Sequence, residues 1–131
     1  MASFGKASKR RLKTCDPKIQ EIFNEVIKTV DCTVTEGMRG EEKQNRYFDE
    51  GKTKVKFPKG KHNANPSRAI DVYPYPVDMK DRERFTLFAG FVLGIAKSKG
   101  IKMRWGGCWK NNFDPKTNNF DDMPHFELLK E

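Results

Sequence analysis

Long apolar runs, paired cysteines and histidines are all scarce in this chain of 131 residues. No stretch approaches the roughly 20 consecutive apolar residues that cross a bilayer, which excludes a membrane-spanning helix as the organising element. The three cysteines, Cys15, Cys32 and Cys108, are odd in number and show no CxxC spacing. That excludes a disulfide framework and fits the reduced thiols of a protein made in the cytoplasm. The N-terminal run MASFGKASKRRLKTCDPK is basic but has no apolar centre, so no export signal is expected. Histidine occurs only twice, at His62 and His125.

Positive charge is what the chain has in excess. Lys plus Arg number 26 against 18 Asp plus Glu, a net charge of +8. Such a balance favours an anionic partner, whether nucleic acid, a membrane surface or a cell-wall polymer. A basic nucleic-acid-binding domain is therefore one reading, although no helix-turn-helix, zinc-finger or RNP-like motif accompanies it. The basic run Lys6 to Arg11 reads as a solvated, frayed end, or as a patch that dwells on an anionic surface.

Length and pattern indicate one domain over residues 1–131, large enough to bury a core. Asp16 and Pro17 read as N-cap and first helical residue, with Ile19, Ile22, Phe23, Val26, Ile27 and Val30 following at helical spacing. A short strand is expected over 32–37, and a second helix ends at Gly51. Residues 51–67 lack any period and read as a long ordered loop. RAIDVYPYP is a buried strand stopped by prolines. The longest helix is expected from Asp81 to Lys99, then a strand in IKMRWGG, a polar loop, and a last strand in HFELL. The expected class is α+β, a small, mostly antiparallel sheet with helices packed outside.

Asp71 lies between Ile70 and Val72 in an apolar strand, where an unpaired carboxylate is costly and calls for a cation, a donor or a metal. With His62 and His125 it forms an imidazole–carboxylate set of the kind zinc accepts in catalytic sites, three protein ligands leaving one open position. Asp122, three residues before His125, is placed to act as a general base. Taken singly, His62 also reads as a solvated loop histidine and Arg39 as a surface charge at a helix start.

The ordered set TEGMR, KHNANPSRAIDVYPYP, RWGG and FDDMPHFELL resembles the VanY-like zinc peptidases of peptidoglycan, and among them the small phage L-alanyl-D-glutamate endopeptidases. The resemblance spans roughly Thr35 to Leu129 and implies a hedgehog/D-Ala-D-Ala-peptidase-like fold without a separate wall-binding domain. It implies one zinc ion on His62, Asp71 and His125, Asp122 as catalytic acid or base, Arg39 at the scissile carbonyl, and Glu127 in a supporting place behind the ligands. The implied function is an endolysin cutting the L-Ala–D-Glu bond, probed against a D-Ala carboxypeptidase or dipeptidase with the same site. It also implies a monomer made in the host cytoplasm, which reaches peptidoglycan by holin-type release and needs neither nucleic acid nor membrane insertion.

Two positions depart from that family pattern. Gly60 stands where a serine usually precedes the first ligand by two residues, and Cys108 stands where an aspartate often follows RWGG. A small buried thiol is the expectation for Cys108, an extra metal ligand its alternative. The loop Asn111 to Asp122 is oxygen-rich, which raises a regulatory Ca2+ ion against the simpler reading of an Asx-rich turn. Tyr73, Tyr75, Trp105 and Trp109 are expected to line a peptide groove or to join the core.

Overall fold

The computed structural model describes residues 2–130. Its core is built where the helical and alternating patterns predict. Asp16 caps the helix α2 (Pro17–Val26) by accepting from the Lys18 amide, and Pro17 sits at the first helical position, where its missing N–H is harmless. The inward stripe of α2, Ile19, Ile22, Phe23 and Val26, is fully buried. Each such side chain contributes roughly 1.5–3 kcal/mol on leaving water.

Four strands, β1 (Cys32–Glu36), β2 (Ala69–Pro74), β3 (Met103–Trp105) and β4 (His125–Leu128), form one sheet in the order β1-β2-β4-β3. All three pairings are antiparallel. The 17-residue helix α4 (Arg82–Ser98) lies against α2 and the sheet, capped by Asp81, and buries Phe85, Phe88, Ala89, Val92 and Ala96. Phe23 and Phe88 both meet the ring of Phe126 edge-on, which ties α2 and α4 to the central strand β4. Trp105 joins this core, while Tyr75 is exposed. No helix among the described residues is long and apolar enough to cross a membrane.

The N-terminus departs from expectation. Lys6–Leu12 is a helix, α1, rather than a frayed end. Its amphipathic signal is weak because a serine does part of the packing. Ser8 is buried, its Oγ accepts from the Val34 amide at 3.0 Å and pairs with Thr33 Oγ1 at 3.1 Å, while Arg11 donates to the Val34 carbonyl. Phe4 and Leu12 then enter the core from either end of α1. The basic side chains Lys6, Lys9 and Arg10 stay on the outer face.

The remaining helix, α3 (Glu41–Asp49), follows β1 after a short turn and carries Glu41 and Glu42 in its first turn, where acids suit the helix dipole. Between α3 and β2 the chain runs without a regular period, as expected, except for a single 3-10 turn over Lys61–Asn63. That turn carries His62.

Candidate metal centre

The pairing of β2 with β4 sets Asp71 directly opposite His125. The 3-10 turn then brings His62 over the same point, with its Nε2 3.2 Å from Asp71 Oδ1. His125 Nδ1 lies 3.4 Å from the same oxygen. One donor atom from each of His62, Asp71 and His125 falls within 4.8 Å of the others. No other group of three metal-capable side chains occurs among the described residues.

Both imidazoles are oriented from behind. His62 Nδ1 lies 2.8 Å from the Gly37 carbonyl, which can only accept, so Nδ1 carries a proton and Nε2 is the ring atom turned to the cluster. His125 is held the other way round, its Nε2 2.8 Å from Glu127 Oε1, leaving Nδ1 for the cluster. Glu127 is itself fixed by Arg104 at 2.8 Å and Lys61 at 3.5 Å. A carboxylate behind a ligating imidazole is a recurrent arrangement of metal sites, because it fixes the tautomer and raises ligand basicity. The donor chemistry therefore fits a borderline divalent ion such as zinc.

The electrostatics agree with that arrangement. Burial works to raise the Asp71 carboxyl, but the charge of His62 and the hydrogen bonds of both histidines hold it well below the usual carboxylate range. Burial likewise works to lower His125, yet hydrogen bonds to Asp71 and Glu127 push it up to about 9 in the metal-free protein. Glu127 is drawn down to about 2, its burial outweighed by His125 and Arg104.

Asp122 stands at the edge of this cluster, its Oδ2 3.8 Å from His125 Nδ1. Its carboxyl is raised by burial and then by the nearby charge of Asp71. The loop that carries it is clamped to Gly106, whose carbonyl accepts from the Asp122 amide at 3.0 Å and whose amide donates to the His125 carbonyl at 2.7 Å. A side chain at Gly106 would collide with the Asp122 carbonyl, which gives RWGG a steric reason to carry glycine there.

Arg39 is buried on the opposite wall. Its Nε donates to Glu36 Oε1 at 2.9 Å and its Nη1 to Gln44 Oε1 at 3.0 Å, while Nη2 lies 3.7 Å from Asp71 Oδ2. The guanidinium also rests 4.8 Å from the centre of the Tyr47 ring. Trp109 tilts against His125 with ring centroids 5.3 Å apart. These groups, with Tyr73, wall a cleft of about 1020 Å3 that contains the whole cluster.

Arg39, His62, Asp71, Asp122, His125 and Glu127 thus all line one cleft, as do Tyr73 and Trp109, whereas Trp105 is core and Tyr75 is exposed outside it. In the oxygen-rich loop the carboxylates are engaged within the protein, Asp114 Oδ1 accepting from the Lys116 amide and Asp121 pairing with Arg82 and Asn118, which is the pattern of an Asx-rich turn and gives calcium no support. Cys108 is the buried thiol expected of it, donating to Asn112 Oδ1 at 3.1 Å and standing outside the metal-capable group. The sequence reading also missed Gln44, Glu36 and Gly106. Gln44 carried a signal, since Tyr47 and Phe48 follow it at helical spacing and place it on the inward line of α3.

Gly60 has a physical explanation too. Its amide donates to Asn63 Oδ1 at 2.9 Å, and a Cβ there would lie 2.7 Å from that oxygen and 3.2 Å from Gln44 Nε2. The space of a side chain at position 60 is filled by the amides of Asn63 and Gln44. Gly60→Ala should therefore destabilise the protein by about 1–3 kcal/mol through overpacking. Denaturant unfolding checks this, and an unchanged midpoint would mean that the two amides move aside freely.

The family model of phage L-alanyl-D-glutamate peptidases matches residues 1–129. The chain belongs to this family. It is 30% identical over 117 residues to the L-alanyl-D-glutamate peptidase of Escherichia phage T5, covering 85% of this chain and 84% of that protein. The crystal structure of the Serratia marcescens L-Ala D-Glu endopeptidase ChiX has the same fold, with a TM-score of 0.74 at 24% identity over 97% of this chain and 90% of that one. The peptidase family and the α+β architecture expected from sequence both stand.

Proposed function

We propose that this chain hydrolyses the L-Ala–D-Glu bond of peptidoglycan stem peptides as a zinc-dependent endolysin. The observation that carries the reading is the His62–Asp71–His125 group, with both imidazole tautomers set from behind, inside the cleft of a member of this peptidase family. His62 Nε2, an Asp71 oxygen and His125 Nδ1 would hold the ion. A zinc ion held there supplies Lewis acidity toward water and a peptide carbonyl near neutral pH.

The remaining chemistry belongs to side chains. Asp122 accepts the proton of the attacking water and returns it to the leaving amine. Its raised carboxyl suits that exchange, because a base works best when its pKa approaches the operating pH. Arg39, held by Glu36 and Gln44, has Nη2 turned toward the cluster, 3.7 Å from Asp71 Oδ2, where it would face the carbonyl oxygen as charge develops on it. Removing one donor of this kind costs on the order of 3 kcal/mol of transition-state stabilisation. Glu127 keeps the His125 ring in register.

The charge of the cleft fits a stem peptide, whose D-glutamate carries a free carboxylate. Glu36, Asp71 and Glu127 are each neutralised by cations or imidazoles of the protein itself, whereas Lys59 and Lys110 line the cleft without a partner among the described residues. The wall is therefore net cationic. The protein acts as a monomer, made in the host cytoplasm and reaching the wall through holin-type release.

Digestion of purified sacculi, with identification of the new chain ends, tests the reading. The expected result is new amino-terminal D-Glu and carboxy-terminal L-Ala, abolished by a chelator and restored by zinc. Release of D-alanine alone, with cross-linked polymer undiminished, would establish a carboxypeptidase instead. An intact wall together with salt-dependent, chelator-indifferent binding to nucleic acid would move the protein out of the enzymes altogether.

A further inference from the structure

Gln44 is an amide with almost no contact with water, 1% exposed, on a helix whose other polar residues face outward or the cleft rim. Burying a carboxamide is unfavourable unless its groups are bonded, so the partners show what it is for. Its Oε1 accepts twice, from Arg39 Nη1 at 3.0 Å and from Asn63 Nδ2 at 3.2 Å. Its Nε2 donates to the Val55 carbonyl at 2.7 Å. Asn63 in turn donates to the Arg39 carbonyl at 2.9 Å, and the Arg39 amide donates to the His62 carbonyl at 2.7 Å.

These bonds close a ring. Through one side chain they join the guanidinium on the cleft wall, the 3-10 turn that carries His62, and the loop at 51–60 that forms the cleft rim. Glu36 fixes Arg39 only at Nε. Rotation of the guanidinium plane about that bond is stopped at Nη1, and the group there is Gln44. A planar, five-donor cation whose Nε and Nη1 are both engaged has one defined direction left for Nη2.

From this ring we infer that Gln44 is the positioning residue of the reaction, aiming Arg39 Nη2 at the substrate carbonyl and locking the rim loop to the turn of His62. The inference rests on the role given to Arg39 above. Gln44 touches no reacting atom. It acts by removing the alternative orientations of Arg39, so its effect belongs in kcat rather than in metal binding, and its loss should vanish once Arg39 is gone.

A double-mutant cycle on the zinc-loaded enzyme tests this, with kcat, KM, zinc content and Tm measured for Gln44→Leu, Gln44→Glu, Arg39→Ala and Arg39→Ala/Gln44→Leu on a muramyl tetrapeptide. Gln44→Leu should keep its zinc and lose up to about 10²-fold in kcat, the scale of a misaimed catalytic group. Gln44→Glu keeps the acceptor for Nη1 but loses the donor to the Val55 carbonyl, so it should recover most of the kcat lost in Gln44→Leu while its Tm falls. In the Arg39→Ala background, Gln44→Leu should cost nothing further. If leucine prevents folding, Gln44→Met, which matches the length of the chain, carries the same cycle. An equal loss in both backgrounds, or a loss of zinc with Gln44→Leu, would overturn the inference. Full activity of Arg39→Ala would overturn the role of Arg39, and this inference with it.

Discussion

Asp122→Asn should leave about one zinc per chain and an unchanged melting temperature, yet lower kcat by about 10²- to 10⁴-fold, the usual contribution of a positioned acid or base. The carboxamide keeps the shape of the side chain and the loop clamp at Gly106, which uses only backbone groups. It can no longer accept a proton from water. His125→Ala should behave differently and lose both zinc and turnover, because it removes one of three donors and leaves the Glu127 carboxylate, 2.8 Å from the missing ring, without that partner. Element analysis beside peptide turnover separates the two cases. If Asp122→Asn also lost its zinc, the 3.8 Å gap between Asp122 and His125 would close around the ion in solution, and Asp122 would have to be counted among the ligands.

What could be read in advance, and what could not, follows from the reach of the interactions. α2 and α4 were legible because their apolar stripes run at helical spacing behind the caps Asp16 and Asp81. The stop of α4 was legible too, at Gly100, whereas α2 ends at Val26, short of the Val30 to which its stripe runs. Asp71 was legible for the opposite reason: it breaks an apolar strand, and only a partner can make that tolerable. The direction of each imidazole was beyond reach, since it depends on the Gly37 carbonyl, 25 residues from His62, and on a cross-sheet stack of Glu127, Arg104 and Lys61. α1 escaped because Ser8 and Arg11 bind it to β1 through hydrogen bonds, which leave no hydropathy pattern. Gln44 escaped because a glutamine in KQNRYF reads as solvated: Tyr47 and Phe48 mark its line as the inward one, but the partner that makes its burial tolerable, the Val55 carbonyl, comes from the rim loop 11 residues on.

Zinc affinity should rise steeply with pH, because the metal-free protein guards its site with a proton. In that state His125 is pushed up to about 9 from 6.5, with Asp71 and Glu127 on either side holding the imidazolium. Its raised value stabilises the metal-free fold fully below pH 6.5, and this contribution is lost as pH climbs through 9. Glu127, drawn down to about 2 from 4.5, contributes stability above pH 4.5 that disappears as pH falls toward 2. The metal-free protein should therefore be most robust between these limits, at mildly acidic pH. A metal needs Nδ1 of His125 unprotonated, so binding at pH 7.5 must expel close to one proton from that ring, and affinity should gain about tenfold per pH unit until the ring deprotonates unaided. Calorimetric titration of chelator-stripped protein in two buffers of different ionisation enthalpy measures the proton directly. The melting-temperature gain on adding zinc should be small near pH 6 and largest near pH 9. Binding without proton release at pH 7.5 would mean that His125 is neutral before the ion arrives, and that Glu127 orients the ring without charging it.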